Sequence, residues 1–261
     1  MNLNEWFYRH WNKYKSKKRI QGRFKLNLSL KKDPEDNRDY RASITAPNSY
    51  YIITMKPFTK VKHQGMIGSC VSHAFCSAYE IMMRMRGFND IELSELFHYY
   101  IGRALAGSLP KDSGMYLRDG AKAFQKIGVS LEGFWPYDYR KYNEGPIKTA
   151  YNCAGFYKIK EYFRLNGTQN IKDIVGKYCP VVFSIPIYQN FIDFKDTKTG
   201  LLPKPVGRRL GSHAMVIIGF NDELQAFEVL NSWGTKWGQK GYCYLPYDYP
   251  IQDAWSFKVW K

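Results

Sequence analysis

The hydrophobic pattern changes between the two halves of the chain, and this change limits the folds that the sequence can adopt. In the first half, apolar residues recur at helical spacing, which predicts helices at 69–86, 93–105 and 117–127. In the second half, short apolar runs lie between Gly, Asn and Asp residues, a pattern typical of β-strands. These runs occupy residues 180–187, 214–220, 226–230 and 241–245. Helices followed by strands predict an α+β domain of two lobes, with a site in the cleft between them.

The residues at the helix ends agree with these bounds. Ser69 and Ser94 each precede a predicted helix, where a serine hydroxyl can accept a hydrogen bond from a free backbone N–H. Gly128 follows the third helix, and glycine commonly ends helices. We therefore expect Ser69 and Ser94 to cap their helices through their side chains.

The first 45 residues differ in composition from the rest. Residues 1–32 hold ten Lys or Arg and one acid, a charge of +9 out of +16 for the whole chain. Apolar residues at helical spacing predict a helix within residues 2–19, and the polar stretch 31–49 predicts a linker or wrapping segment. We predict a basic arm and linker at 1–45 and a compact domain at 46–261. Such an arm can bind nucleic acid or an anionic membrane surface, lie across the cleft between the lobes, or remain a solvated tail.

Several classes of protein are disfavoured by the sequence. No apolar run reaches the length of about 18 residues that a transmembrane helix needs. The first 20 residues lack the apolar region of a secretory signal. The five cysteines are sparse and odd in number, unlike a disulfide framework, and no zinc, Walker A or dinucleotide-binding spacing occurs. We therefore expect a reducing location, either the cytoplasm or the interior of a phage particle.

A candidate nucleophile lies at the start of the first predicted helix. Cys70 follows the segment 64–69 (QGMIGS). A cysteine at a helix N-terminus lies at the positive end of the helix dipole, which favours the reactive thiolate. The unpaired backbone N–H groups of the same helix end can bind an oxyanion. Position alone is weak evidence, since a cysteine near a helix start is more often a small core residue.

Two further segments supply the partners that a thiolate needs. His213 begins an apolar strand, and Asn231 opens the segment 231–234 (NSWG). An imidazole beside a thiol can take its proton, and a third polar group can orient the imidazole. Cys70, His213 and Asn231 are therefore candidates for a nucleophile, a base and an orienting residue.

These three segments resemble those of the papain-like cysteine peptidases. QG at 64–65 with GSC at 68–70, HA at 213–214 with GF at 219–220, and NSWG at 231–234 match the family's three motifs in order. His213 lies 143 residues and Asn231 lies 161 residues after Cys70, close to the family's separation. The resemblance implies a helical N-terminal lobe, a C-terminal lobe built on an antiparallel sheet or barrel, and an active-site cleft between them.

The resemblance also implies a role for each matching residue. Cys70 would be the nucleophile, His213 the base and acid, and Asn231 the residue that orients the imidazole. Gln64 and the backbone N–H of Cys70 would bind the oxyanion, and Trp233 would shield the His–Asn contact from water. The reaction implied is amide hydrolysis through an acyl-thioester, with no metal or organic cofactor.

The sequence also departs from the family pattern. Ile67 stands where secreted members have a disulfide-bonded cysteine, and Val71 replaces an aromatic residue next to the nucleophile. His73 lies one turn into the helix, where we expect a structural role. The resemblance implies that Ser69 supports the nucleophile and that Ser113, Gly114 and Ser212 line the substrate cleft.

Three functions are consistent with this sequence. The first is a cysteine peptidase acting on a protein or peptide substrate. The second is a catalytically silent papain-like scaffold that serves as a structural or cargo component of a larger assembly, such as a phage particle. The third is nucleic-acid binding through the basic arm, although no recognised base-reading motif is present. The presence of all four residues Cys70, His213, Asn231 and Gln64 favours the peptidase.

Overall fold

The structure is a computed structural model that describes residues 26–41, 52–195 and 198–260. The helix predicted within residues 2–19 lies outside the described residues. The helices, in chain order, are α1 (Cys70–Arg84), α2 (Glu95–Leu105), α3 (Leu117–Lys126), α4 (Lys148–Ala154), α5 (Gly167–Val175) and α6 (Gln189–Ile192). The strands are β1 (Ile52–Thr54), β2 (Ile159–Arg164), β3 (Val181–Tyr188), β4 (Arg209–Asn221), β5 (Ala226–Leu230), β6 (Tyr242–Pro246) and β7 (Asp253–Val259).

The strands form an antiparallel sheet with the order β2–β7–β3–β4–β5–β6, and β1 pairs with β4. The long strand β4 lies near the middle of this order, where it pairs with β3 over its first part and with β5 over its second. In this register His213 lies opposite Ile185 of β3. The central position of β4 therefore holds the predicted catalytic histidine on a strand that is paired on both sides.

Helix α1 packs against β4 and β3, and its residues from Cys70 to Met83 are all buried. A helix that is buried on all sides must satisfy its polar side chains internally, because no water reaches them. Ser72 of α1 does so by lying 3.1 Å from Nδ1 of His98 on α2. The sequence predicted a single apolar face for this segment, but the whole helix is buried, because the sheet covers α1 on one side and helices cover it on the other.

The predicted helices and strands are present, with bounds that differ by a few residues. Ser94 caps α2 as expected, since its side chain accepts a hydrogen bond from the backbone N–H of Phe97. The expected side-chain cap at Ser69 is wrong. The Ser69 hydroxyl instead lies 2.7 Å from the hydroxyl of Tyr137, which competes with the helix N-terminus for the same group. None of the helices in the described ranges has the length and apolar character that a bilayer crossing requires.

A buried charge cluster joins α1, α2 and the loop that precedes the candidate nucleophile. Lys62 Nζ lies 2.6 Å from Glu80 of α1 and also binds Glu95 of α2. Glu80 accepts further hydrogen bonds from Arg84 and from the backbone N–H of Leu93. Because Lys62 is two residues from Gln64, this cluster fixes the start of the candidate site on the two helices.

Replacing Glu80 with alanine should lower the free energy of unfolding by about 3–5 kcal/mol. The change removes one of the two carboxylates that bind Lys62, the carboxylate partner of Arg84 and the acceptor of the Leu93 backbone N–H, and loss of a buried charge partner is costly. The control is Glu92→Ala, whose partner Lys60 is exposed, and which should change stability by less than about 1 kcal/mol. Denaturant unfolding of both variants measures the difference, and equal losses would contradict the role of the buried cluster.

Candidate active site

The first residue of α1 and the middle of β4 bring Cys70 and His213 to the same place. Cys70 is 2% exposed and His213 is fully buried. The backbone N–H of Ala214, the residue after His213, lies close enough to the Cys70 sulfur to favour its thiolate form. Position at the helix N-terminus adds further favourable interaction with negative charge. The structure therefore places the predicted nucleophile beside the predicted base.

Asn231 holds the His213 ring in one orientation. Its side-chain Oδ1 lies 2.8 Å from Nε2 of His213 and also accepts a hydrogen bond from the N–H of Ser232. An amide oxygen can only accept, so the proton of a neutral His213 lies on Nε2 and Nδ1 is the basic nitrogen. Nδ1 has no hydrogen-bond partner among the described residues. This nitrogen is therefore free to take a proton.

The Trp233 indole covers the contact between His213 and Asn231. The ring centroids of Trp233 and His213 are 4.6 Å apart, and the planes are tilted by 32°. Phe191 and Trp237 pack edge-on against Trp233 and complete an aromatic wall. Exclusion of water strengthens a hydrogen bond electrostatically, so this wall supports the fixed orientation of the imidazole.

Gln64 links the loop before Cys70 to the segment that carries Asn231. Its backbone N–H donates to the carbonyl of Ser232 at 2.9 Å, and its side-chain oxygen accepts from the Ser232 hydroxyl at 2.7 Å. The side-chain Nε2 donates to the carbonyl of Ile67 at 3.1 Å. An amide nitrogen carries two protons, so one donor remains after the bond to Ile67.

His73, the second histidine of this region, is held away from catalytic use. Its Nδ1 lies 3.1 Å from the carbonyl of Ser69, and its ring packs edge-on against Tyr137. Burial lowers the pKa of His73 to about 3, so the ring is neutral near pH 7. These contacts agree with a structural role.

The described state holds the thiol and the imidazole without charge. Burial raises the pKa of Cys70 to about 11, and burial lowers the pKa of His213 to about 4. A thiolate and an imidazolium both need solvation or a partner, and burial disfavours each of them. The geometry of a reactive pair is present, but its enclosure favours the neutral forms.

Residues 26–33 of the chain itself lie along the walls of this cleft. We call this segment the strap. Its Leu28 carbonyl accepts a hydrogen bond from the N–H of Ser212, next to His213, at 3.2 Å. On the other side, its Asn27 side chain donates to the Asp112 carboxylate at 2.7 Å. Leu30 of the strap is only 5% exposed.

Three glycines let the strap approach the cleft walls. A Cβ atom on Gly211 would lie 2.3 Å from the Leu28 carbonyl oxygen, and one on Gly114 would lie 2.8 Å from the Ser29 hydroxyl. A Cβ on Gly68 would lie 3.1 Å from that same hydroxyl. A side chain at Gly211 or Gly114 would meet the strap, so the close approach favours glycine there, and Gly114 and Ser212 lie along the strap. The Ser113 side chain instead binds the carbonyl of Gly114.

A buried group of charges fastens the end of the strap to the domain. We call it the latch: Asp33, Asp39, Arg118, Arg164 and Asp253. Asp33 is 2% exposed, accepts hydrogen bonds from the Trp255 indole and the Arg118 backbone, and donates its own N–H to Asp253. Asp39 binds both Arg118 and Arg164. Of the predicted arm and linker, residues 26–41 therefore lie against the domain.

The Asp33 carboxyl should make stability depend on pH between about 4 and 6. Burial, and then the neighbouring Asp253, raise the pKa of Asp33 from 3.8 to about 6. The native state thus holds the proton more tightly than the unfolded state. Its contribution to stability is complete below pH 4 and is lost as pH rises to 6. The loss should be about 3 kcal/mol, since one pKa unit corresponds to about 1.4 kcal/mol.

The measurement is the difference in unfolding free energy between wild type and Asp33→Asn, followed from pH 4 to pH 7. As pH rises, the free energy of unfolding of the wild type should fall relative to that of Asp33→Asn, because asparagine carries no titratable proton. Asp36→Asn is the control on the same segment. The partly exposed Asp36 is paired with Arg38, whose hydrogen bonds lower the pKa of the carboxyl, so its small effect has the opposite sign. A pH-independent difference for Asp33→Asn would contradict the assignment.

The sequence left open that the arm lies across the cleft, but it did not identify residues 26–33 as the segment that does so, nor the partners Asp112, Arg118 and Asp253. The signal was present in residues 26–30 (LNLSL), where leucines alternate with polar residues as in an extended segment. The sequence did not show which part of the domain these leucine side chains pack against. The described residues contain no grouping of three or more His, Cys, Asp or Glu side chains suited to hold a metal ion.

Comparison with known proteins agrees with this geometry. The family model for papain family cysteine proteases matches residues 46–252. An uncharacterized peptidase C1-like protein of Acanthamoeba polyphaga mimivirus is 33% identical over 250 residues, which cover 91% of this chain and 78% of that protein. Ananain of Ananas comosus is 26% identical over 85% of this chain, but the chain spans only 62% of its length.

The fold is also similar to solved structures. Xylellain, a cysteine protease from Xylella fastidiosa, superposes with a TM-score of 0.81 at 28% identity, over 94% of this chain and 100% of that one. The predicted two-lobe α+β architecture is confirmed by this similarity. The motif order, the contact between His213 and Asn231 and the match of the family model lead to one conclusion. This chain belongs to the papain family of cysteine proteases.

Proposed function

We propose that this chain hydrolyses peptide bonds through a Cys70–His213–Asn231 site and an acyl-thioester intermediate. The observation that carries the proposal is the hydrogen bond from Nε2 of His213 to Asn231, which leaves Nδ1 as a base without a partner next to the Cys70 helix end. The silent-scaffold alternative does not explain why this orientation is retained behind an aromatic wall.

The residues supply each proton and charge that the reaction needs. The thiol proton of Cys70 passes to Nδ1 of His213, and the thiolate attacks the substrate carbonyl carbon. The oxyanion takes hydrogen bonds from the remaining N–H of the Gln64 amide and from the backbone N–H of Cys70. His213 then protonates the leaving amine, which leaves an acyl-thioester on Cys70. A water molecule, deprotonated by His213, attacks the thioester and releases the carboxylic acid and the thiol.

The strap makes the described state a latent form of this enzyme. Ser212 uses its backbone N–H on Leu28, and Gly68 and Gly114 lie against Ser29, so an extended substrate has no access to these walls. Catalysis then requires the strap to leave the cleft. The apparent activity falls in proportion to the fraction of molecules in the open state.

Labelling by an epoxide inhibitor of papain-like enzymes tests the peptidase proposal. We expect mass spectrometry to locate the label on Cys70, although the chain has four other unpaired cysteines. The label should be absent in Cys70→Ala and strongly reduced in His213→Ala. Hydrolysis of a peptide library should show the same order. A folded wild type with a released strap that neither labels nor hydrolyses would favour the silent scaffold.

The basic arm at 1–25 supports a separate proposal about partners. This part of the sequence supplies eight Lys or Arg and one acid, with aromatic residues among them, which suits binding to an anionic surface. Deleting residues 1–25 leaves the strap in place. We expect the deletion to abolish salt-dependent binding to DNA or to anionic vesicles, and unchanged binding to both would reject this role.

A further inference from the structure

We propose that Asp112 is a positioning residue that ties the nucleophile loop to the opposite wall of the cleft and holds both in register with Cys70. The inference rests on the proposed function, because the residues that it positions are those of the proposed reaction. Asp112 lies in the loop between α2 and α3, two residues before Gly114.

One oxygen of the Asp112 carboxylate holds the loop that leads into α1. Its Oδ1 accepts the backbone N–H of Gly68 at 3.0 Å, and Gly68 is two residues before Cys70. The same Oδ1 accepts the hydroxyl proton of Tyr99 on α2. Movement of Asp112 would therefore move the backbone from which Cys70 projects.

The Tyr99 hydroxyl continues the connection to the far wall. It accepts the backbone N–H of Gly114 at 3.1 Å while it donates to Asp112. Gly68 and Gly114 are themselves in close contact, since a Cβ on Gly68 would lie 3.1 Å from the backbone of Gly114. One carboxylate and one phenol thus fix the distance between the nucleophile loop and the wall.

The support beneath this pair is rigid. The guanidinium of Arg103 lies 4.1 Å from the centroid of the Tyr99 ring, and it donates to the carbonyl of Lys111, next to Asp112. Burial and the bond to Asp112 raise the pKa of Tyr99, so the phenol keeps the proton that it donates. All five cysteines are unpaired, so no disulfide performs this cross-link.

The charge of Asp112 distinguishes positioning from activation. Burial is the main cause of the raised pKa of the Cys70 thiol, and the Asp112 carboxylate acts in the same direction, which opposes formation of the thiolate. An acid that hinders ionisation of the nucleophile yet holds its loop contributes through geometry. Arg103 and Tyr99 face the same carboxylate, and Arg103 offsets part of its charge.

The second oxygen connects this tie to the strap. Asp112 Oδ2 accepts the Asn27 amide at 2.7 Å, and the Asp112 backbone carbonyl accepts the same amide at 3.0 Å. Asn27→Ala removes these two contacts and one hydrogen bond within the strap, from the Ser29 N–H to Asn27 Oδ1, and leaves the contacts of Asp112 to Gly68 and Tyr99 in place. Asp112→Ala removes the carboxylate contact to Asn27 together with the contacts to Gly68 and Tyr99, and it keeps the backbone carbonyl that Asn27 also binds. The two variants therefore separate the strap from the positioning role.

The experiment measures alkylation of Cys70 by iodoacetamide in the full chain, quantified by mass spectrometry as a function of pH. We expect Asn27→Ala to raise the rate about two- to fivefold, because the strap is held less tightly. Asp112→Ala should lower it by about tenfold or more, because misplacement of a reactive group by about 1 Å is costly. A rate in Asp112→Ala that equals or exceeds that of Asn27→Ala would overturn the proposal.

Asp112→Asn keeps an acceptor for Gly68 and removes the charge. We expect it to retain the alkylation rate at high pH within about threefold and to shift the midpoint of the profile to lower pH than Asn27→Ala does. If the pH profile of Cys70 alkylation in Asp112→Asn coincides with that in Asn27→Ala, the charge of Asp112 has no effect on the thiol. If Asp112→Asn lowers the alkylation rate as much as Asp112→Ala does, an uncharged acceptor does not replace the carboxylate in holding the Gly68 loop.

Tyr99→Phe is the second test and keeps the packing of the ring. Because it frees the Gly114 backbone, KM for peptide hydrolysis should rise about three- to tenfold while alkylation by the small reagent changes less than twofold. An unchanged KM would contradict the connection to the wall. A folded protein that stays inactive after the strap has been released would reject the proposed function, whereas an active protein with these variants unchanged rejects only the role of Asp112.

Discussion

Replacing His213 with alanine should lower kcat/KM for peptide hydrolysis by about 10³-fold or more. The imidazole takes the thiol proton before attack and returns a proton to the leaving amine, so its removal affects both halves of the reaction. Asn231→Ala should have a smaller effect, about 10- to 100-fold, because the ring remains but loses the bond that directs Nδ1 towards Cys70. Steady-state hydrolysis of one fluorogenic peptide measures both.

The matched control for this prediction is His73→Gln, because His73 is also buried and lies on the same helix as Cys70. We expect it to reduce stability and to change kcat/KM less than about threefold once the protein is folded. Circular dichroism and unfolding of each variant establish that the fold is retained. Activity of His213→Ala within tenfold of the wild type, or a loss in His73→Gln equal to that of His213→Ala, would assign the base to another group.

Weakening the strap should activate the enzyme. Leu30 is the most buried apolar side chain of the strap, and truncation of a buried leucine costs about 2–5 kcal/mol. If the closed state predominates, a loss of about 2 kcal/mol increases the open fraction by about thirtyfold. We therefore expect Leu30→Ala to raise kcat/KM and the rate of epoxide labelling at Cys70 by about 10- to 30-fold. The opening also solvates the site, which favours the thiolate and imidazolium forms.

Leu105→Ala provides the control for the strap. Leu105 has the same side chain but is exposed at the end of α2, so its truncation should leave both rates unchanged. Limited proteolysis of Leu30→Ala should cut within residues 26–41 more readily than in the wild type. Equal labelling rates in wild type and Leu30→Ala, with a folded variant, would show that the strap does not limit access to Cys70.

The latch makes release of the strap depend on pH. Because the docked carboxyl of Asp33 has a raised pKa, docking is favoured by protonation and weakens as pH rises from about 4 to 6. The strap is therefore held most tightly in acid, and neutral pH favours its release.

The sequence alone determined the α+β fold class, three of the helices and four of the strands of the domain, and the three motif residues. Helical spacing around α1 and apolar runs at β3, β4 and β5 are local patterns, and local patterns survive without tertiary information. Cys70, His213 and Asn231 were identified because each lies in a short motif at a characteristic separation. Short stretches of sequence are sufficient to identify such features.

Only the tertiary structure decided what occupies the cleft and what holds it. Ser69 lost its predicted cap because Tyr137, 68 positions later in the chain, binds its hydroxyl. The strand β7 was not predicted because Asp253, Ser256 and Lys258 interrupt its apolar pattern, although the sheet buries most of it. Asp112 meets Asn27 across 85 positions, and Asp33 meets Trp255 across 222. Contacts between such distant positions depend on how whole elements pack, and no local pattern of residues encodes that packing.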